Sequence, residues 1–197
     1  DAAFDGRTRP FQVMNNAERL ADYVALPQLR HAHIVATTLL SKTYSALLAQ
    51  LTQIHSLWID QASTSAHQMA SLQTLTQLRG LKMNIEHVTW NKEAQLKINH
   101  LTNLEYLALS SGFLRMQPAL VFGGLKEMTN LSQLRLQQLG IPQLNYTADW
   151  DEFTSRCTKL EVLDVSIPLV FSLLTRLTCL RELSFEASEY GSDWPMV

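Results

Sequence analysis

Charge is scarce in this chain of 197 residues, in which Lys, Arg, Asp and Glu together make up 17%. Lys and Arg number 16 against 18 Asp and Glu, a net charge of -2 that gives no overall field to attract nucleic acid or an anionic membrane. Neither partner is expected. Cysteine is almost absent: Cys157 and Cys179 cannot build a disulfide framework, and no CxxC pair suggests zinc, so a reducing, intracellular compartment is expected. Seven Gly and six Pro are too few for a collagen-like or low-complexity chain. Apolar runs are short as well. The run Ile167 to Phe171 falls far below the roughly 20 residues that cross a bilayer. The chain begins at Asp1 rather than at Met, which leaves room for a leader or for further domains of a longer protein. What is plentiful is hydrophobic residues, 46% of the total, enough for a substantial core.

Those residues recur with a period. One pattern, an apolar residue followed by others three, six and eight places on, begins at residues 26, 51, 75, 101, 128, 157 and 177. Leu101, Leu104, Leu107 and Leu109 illustrate it, and across all copies no polar residue occupies any of these positions. In all copies but the first, Thr follows the first apolar residue, as at Thr102 and Thr129. Successive starts are 25, 24, 26, 27, 29 and 20 residues apart. The last two positions lie two apart, the strand period, so each copy predicts one short strand with Leu107 and Leu109 turned inward and Tyr106, Ala108 and Ser110 outward. Ahead of several strands lie helix-start signals, Ser41 before Tyr44, Leu47, Leu48 and Leu51, and Asp149 and Asp151 before Phe153. The link from Leu169 to Arg176 has room for only one or two turns. Near the front, Pro10 to Val13 fits an additional strand, and Asn15-Asn-Ala-Glu18 resembles a capping box that opens a helix to Ala25.

With Leu104-Glu-Tyr-Leu107-Ala-Leu109 and Leu160-Glu-Val-Leu163-Asp-Val165, the chain resembles the leucine-rich-repeat family, whose core pattern is L-x-x-L-x-L. The resemblance implies an α/β solenoid, a horseshoe with a parallel concave sheet, helices on its convex side and about seven repeats over residues 26–188. Residues 1–25 would form an N-terminal cap or truncated repeat, and 189–197 a tail. The asparagine or cysteine that the family usually carries three residues after the last strand leucine is missing, its places being taken by Thr37, Ala62, Glu86, Gly112, Leu139, Pro168 and Ser188. Irregular intracellular repeats fit that departure.

Catalytic constellations are not apparent. His31 and His33 alternate on one strand and would share a face, but a zinc site needs a third ligand, and the nearest candidate, Asp60, lies a row away. No Ser or Cys stands in a recurring relation to His55, His67, His87 or His100, so no triad is expected. Phe122-Gly-Gly-Leu125 lacks the Lys-Ser/Thr of a phosphate cradle. Cys157 occupies a core position and reads as core filling, and Cys179 adjoins a core leucine. The sites Asn130-Leu-Ser132 and Asn145-Tyr-Thr147 match a glycosylation pattern by chance. No cofactor and no enzymatic activity are expected.

Stacked strands would merge their outward residues into one surface. Its central row is predicted as His33, Trp58, Lys82, Ala108, Arg135, Asp164 and Ser184. One flank reads His31, Ser56, Gly80, Tyr106, Gln133, Val162 and Glu182; the other reads Val35, Asp60, Asn84, Ser110, Gln137, Ser166 and Glu186. Aromatic residues beside Lys and Arg are the composition of interface anchors. The resemblance accordingly implies a non-catalytic module that binds a partner protein on the concave face, with His31, His33, Trp58, Asp60, Lys82, Tyr106, Arg135, Gln137 and Asp164 as contact residues. It also admits the substrate-recognition part of an F-box-type ubiquitin-ligase adaptor, or the sensor part of an immune-type receptor.

Overall fold

The computed structural model describes residues 11–14, 26–36, 46, 48–65, 70–89, 98, 100–111, 124–137, 147–166 and 174–185. Among them eight strands form one sheet: β1 (Phe11–Met14), β2 (His31–Ala36), β3 (Ser56–Ser65), β4 (Gly80–Thr89), β5 (Tyr106–Ser111), β6 (Gln133–Gln137), β7 (Val162–Val165) and β8 (Glu182–Phe185). Every neighbouring pair is parallel, and the order across the sheet is the order along the chain. The expected strand near Pro10 to Val13 is β1, which pairs with β2 through Phe11 opposite Ala32.

Strand register repeats the sequence spacing. From β2 to β8, His31, Ser56, Gly80, Tyr106, Gln133, Val162 and Glu182 stand opposite one another in turn. These offsets are the 25, 24, 26, 27, 29 and 20 residues that separate the apolar patterns. Variation in length is therefore absorbed in the connections, and every strand keeps the same phase.

A tight turn explains the first interval of the pattern. The N–H groups of Leu29, Ile54, Leu78, Leu104, Leu131, Leu160 and Leu180 each donate to the carbonyl three residues earlier, at 3.0 to 3.1 Å. Such a turn returns both apolar side chains to the interior while the Thr between them stays outside. A second regularity leads into the strands. The carbonyls of Arg30, His55, Arg79, Glu105, Ser132 and Glu161 each accept two successive N–H groups of the next repeat, at 2.7 to 3.0 Å. Each turn is thus tied to the one before it.

The interior lies on one side of the sheet. Ile34, Ile59, Met83, Leu109, Leu136 and Val165 form one buried row, with Leu57, Leu81, Leu107, Leu134 and Leu163 beside it. A further apolar position, three residues before the pattern, is also buried at Leu48, Leu72, Ile98 and Leu125. At the sixth repeat that place belongs to Thr154, whose hydroxyl is satisfied by the Trp150 carbonyl at 2.9 Å. The pattern departs from its expected burial at both ends. Leu26 is 43% exposed, Leu180 only partly buried, and Leu183 and Phe185 on β8 are 39% and 47% exposed. β8 has β7 on one side and no described strand on the other, so its inward residues lack half of their neighbours.

One α-helix is described, α1 (Thr147–Arg156). It starts at Thr147, ahead of the expected signals Asp149 and Asp151, which fall in its first turns. Arg156 in the last turn complements the helix dipole. Its buried face places Trp150 and Phe153 edge-to-face, with ring centroids 5.4 Å apart. Ahead of β4 the described part of the connection, Ala70–Thr74, is a 3-10 helix rather than the α-helix expected there. The expected helix after Ser41, the capping box at Asn15, the tail 189–197 and residues His67, Gly112, Leu139, Asn145, Pro168, Glu186 and Ser188 lie outside the described residues.

Candidate functional site

The sheet face opposite the core gathers the predicted rows. His33, Trp58, Lys82, Ala108, Arg135, Asp164 and Ser184 stand opposite one another from β2 to β8, and His31, Ser56, Gly80, Tyr106, Gln133, Val162 and Glu182 run beside them. On the other flank Val35, Asp60, Asn84, Ser110 and Gln137 align likewise. Alternation along each strand puts them all on one face. Side chains here are mostly half-buried rather than fully exposed. Ser56 (4% exposed), Gly80 and Ala108 (8%) are buried, against expectation, as small residues with larger side chains beside them.

Trp58 is the hub of one cluster. The His33 ring stacks on it at 4.1 Å with an interplanar angle of 16°, and the Lys82 ammonium sits 3.9 Å from its centroid. Asp60 orients both aromatic rings, accepting from Trp58 Nε1 at 2.9 Å and meeting His33 Nε2 at 2.9 Å. Asp60 stands one position along the flank, yet its side chain reaches His33; spacing alone did not reveal this link. With both carboxylate oxygens engaged, the indole is fixed in position before any partner arrives.

A second cluster lies on β5 to β7. Burial pushes the Tyr106 phenol above its usual range, an effect that the nearby Arg135 opposes and Asp164 reinforces. Gln137 donates from Nε2 to Asp164 at 2.8 Å, and Ser110 to the Asn84 side-chain carbonyl at 2.9 Å. Arg135 Nε and the Gln133 carbonyl oxygen are buried without a hydrogen-bond partner among the described residues.

Along the edge where strands begin, a row of polar side chains was missed in the sequence. The amides of Gln53, Asn103 and Asn130 donate to the carbonyls of Leu26, Thr76 and Thr102 in the preceding turn, at 2.9 to 3.2 Å. The signal was present: Gln28, Gln53, Gln77, Asn103 and Asn130 all stand two places after the first apolar residue. Gln77, Asn103 and Asn130 of this row, with Arg79, Glu105, Lys159 and Glu161, line a groove of about 600 Å³ that reaches the exposed Cys179.

On the same edge His55 is held below its usual pKa, first by burial and then by the cations Arg30 and Arg79. Between that lowered value and 6.5 the unfolded chain binds a proton that the folded chain refuses, so stability falls on acidification through about 6.5. His55→Gln is expected to flatten this dependence, as read from chemical-denaturation midpoints at pH 7.5 and 5.5. An unchanged slope would exclude His55 as its source.

Among the described residues no group of three or more His, Cys, Asp and Glu could hold a metal ion, and no helix is long and apolar enough to cross a membrane. No known protein-family model matches the chain, and no curated protein is similar to it.

Proposed function

We propose that the chain is a leucine-rich-repeat solenoid, a horseshoe with helices on its convex side, that binds a partner protein on its open sheet face and has no catalytic activity of its own. One observation carries this reading. Parallel sheets ordinarily bury both faces, whereas here one face holds the core and the other presents Trp58, Lys82, Tyr106 and Arg135 partly exposed to solvent. Large amphipathic side chains near the centre of a patch supply most of the energy of a protein interface. Trp58 and Tyr106 offer wide contact area at little cost in rotamer freedom, and their positions are already restrained. His31, His33, Asp60, Gln137 and Asp164 would contribute the surrounding polar contacts. The exposed thiol of Cys179 suits an intracellular setting, where cysteines stay reduced.

Trp58→Ala combined with Arg135→Ala is expected to remove about 2 kcal/mol or more per residue from partner binding, with the circular dichroism spectrum unchanged. Affinity capture from a cell extract, compared between parent and variant, measures it. Recovery of the same partners in the same yield would move the interface to the convex side, near Ser41 and Asp149.

A further inference from the structure

Among the described residues some cations are ion-paired and others are not: off the open face Arg30, Lys159 and Arg181 have no carboxylate within ion-pair distance, and on it His33 meets Asp60 at 2.9 Å. Away from the open face, Arg79, Lys126, Arg156 and Arg176 each have a carboxylate within 2.7 to 3.6 Å: Glu105, Glu152, Glu127 with Glu152, and Asp151. On the open face, Lys82 and Arg135 have none within ion-pair distance among the described residues, although two carboxylates stand on neighbouring strands. Asp60 is turned towards Trp58 and His33, and Asp164 towards Gln137. These acids make hydrogen bonds elsewhere and form no ion pair with Lys82 or Arg135, although Asp164 stands opposite Arg135 on the next strand.

Lys82 and Arg135 flank Ala108 in a single register row. They are two strand spacings apart, about 9.6 Å between backbones. Ala108, the residue between them, carries only a methyl group and is buried. Arg135 Nε is buried, with no hydrogen-bond partner among the described residues, so the guanidinium meets solvent only through its outer nitrogens.

We propose that this pair of cations recognises two carboxylates of an acidic segment in the partner protein, one at Lys82 and one at Arg135, with the segment's backbone crossing Ala108. The proposal rests on the open face being a protein-binding surface and names the chemistry of what binds there. A segment in polyproline-II conformation rises about 3.1 Å per residue and returns to the same side every third residue. Glu-x-x-Glu therefore places two carboxylates about 9.3 Å apart, close to the spacing of the two strands. Arg135 would take its carboxylate in a forked, two-bond geometry through its two outer nitrogens, while Lys82, held over the Trp58 ring, acts as a point charge. Asp60 on β3 and Asp164 on β7 bracket the pair. A long polyanion such as a nucleic acid would run into one acid or the other, so the site favours a short acidic stretch.

The test is an NMR titration of the full chain, isotopically labelled, with the capped peptide Pro-Glu-Pro-Pro-Glu-Pro. The Arg135 guanidinium N–H signals are expected to shift, with a concurrent change at the Trp58 indole. The peptide with both Glu replaced by Gln is expected to leave both signals in place. Lys82→Gln and Arg135→Lys should each weaken binding about tenfold, the latter because it keeps the charge and loses the fork. Signal dispersion in the same spectra reports that each variant is folded. Equal binding of the Gln peptide, unchanged affinity in both variants, tighter binding of hexathymidylate, or no binding up to about 1 mM would each overturn the carboxylate assignment. Loss of partner capture by the Trp58 and Arg135 double variant would survive any of these outcomes, so failure here is separable from failure of the protein-binding reading.

Discussion

Leu107→Ala is expected to lower the unfolding free energy by about 2 to 5 kcal/mol. Leu107 is wholly buried and stands in register between Leu81 and Leu134, which are equally buried. The hole left by truncation cannot close by moving one neighbour, because hydrogen bonds to β4 and β6 fix the spacing of β5 on both sides. In a chain of this size, that loss corresponds to a fall in melting temperature of roughly 5 to 15 °C. Leu183→Ala is the matched control, with the same phase on β8 but 39% exposure, and is expected to cost much less. Equal melting shifts for the two variants would refute the interior assigned to the central strands.

The second large effect is chemical. Burial pushes the Cys157 thiol from an ordinary 9.0 up to about 12, only partly countered by Arg156. Its sulfur lies 3.6 and 3.7 Å from the carbonyls of Met128 and Leu125. Because the thiolate is the reactive form, a rise of three units suppresses it about a thousandfold at neutral pH, before any steric barrier is counted. Cys179 is exposed. A disulfide reagent is therefore expected to titrate one thiol per folded chain quickly and the second only after denaturant is added. Rapid reaction of two thiols in the native protein would contradict the burial of Cys157. The same shift makes alkali unfavourable: stability contributed by the protonated thiol is intact below 9 and declines as pH rises towards 12.

Strand positions and their phase were legible in the sequence because the sheet imposes one rigid rule per repeat. Leu107 and Leu109 could face inward only if Tyr106 and Ala108 faced outward, and register between repeats followed from identical turns. Exposure on the open face was less legible. Ser56 and Ala108 are buried by the bulk of their neighbours, a property of the assembled row rather than of either residue. Ends were misread for a related reason: Leu183 and Phe185 carry the right pattern, but the pattern does not say whether a further strand covers them. The connections followed no common rule, since their lengths vary and Ala70–Thr74 takes a tighter form than α1. At the candidate site the sequence supplied Trp58, Lys82, Tyr106 and Arg135 as a group. It did not supply the role of Asp60, whose reach to His33 depends on side-chain rotamers across adjacent strands.

The doubly used carbonyls at Arg30, His55, Arg79, Glu105, Ser132 and Glu161 tie each repeat only to the next, so the molecule has the connectivity of a chain of links rather than of a closed shell. In such an arrangement an amide's lifetime against exchange with deuterium depends on its distance from an open end. Opening is expected to start at β8, which has one described neighbour and two exposed apolar side chains, and to travel inward one strand at a time. Amides of β4 and β5, with strands stacked on both sides, are the last to exchange. Trp58 and Arg135 sit on the strands that flank this slow centre, so a partner bridging them would act as a clamp and protect strands it does not touch.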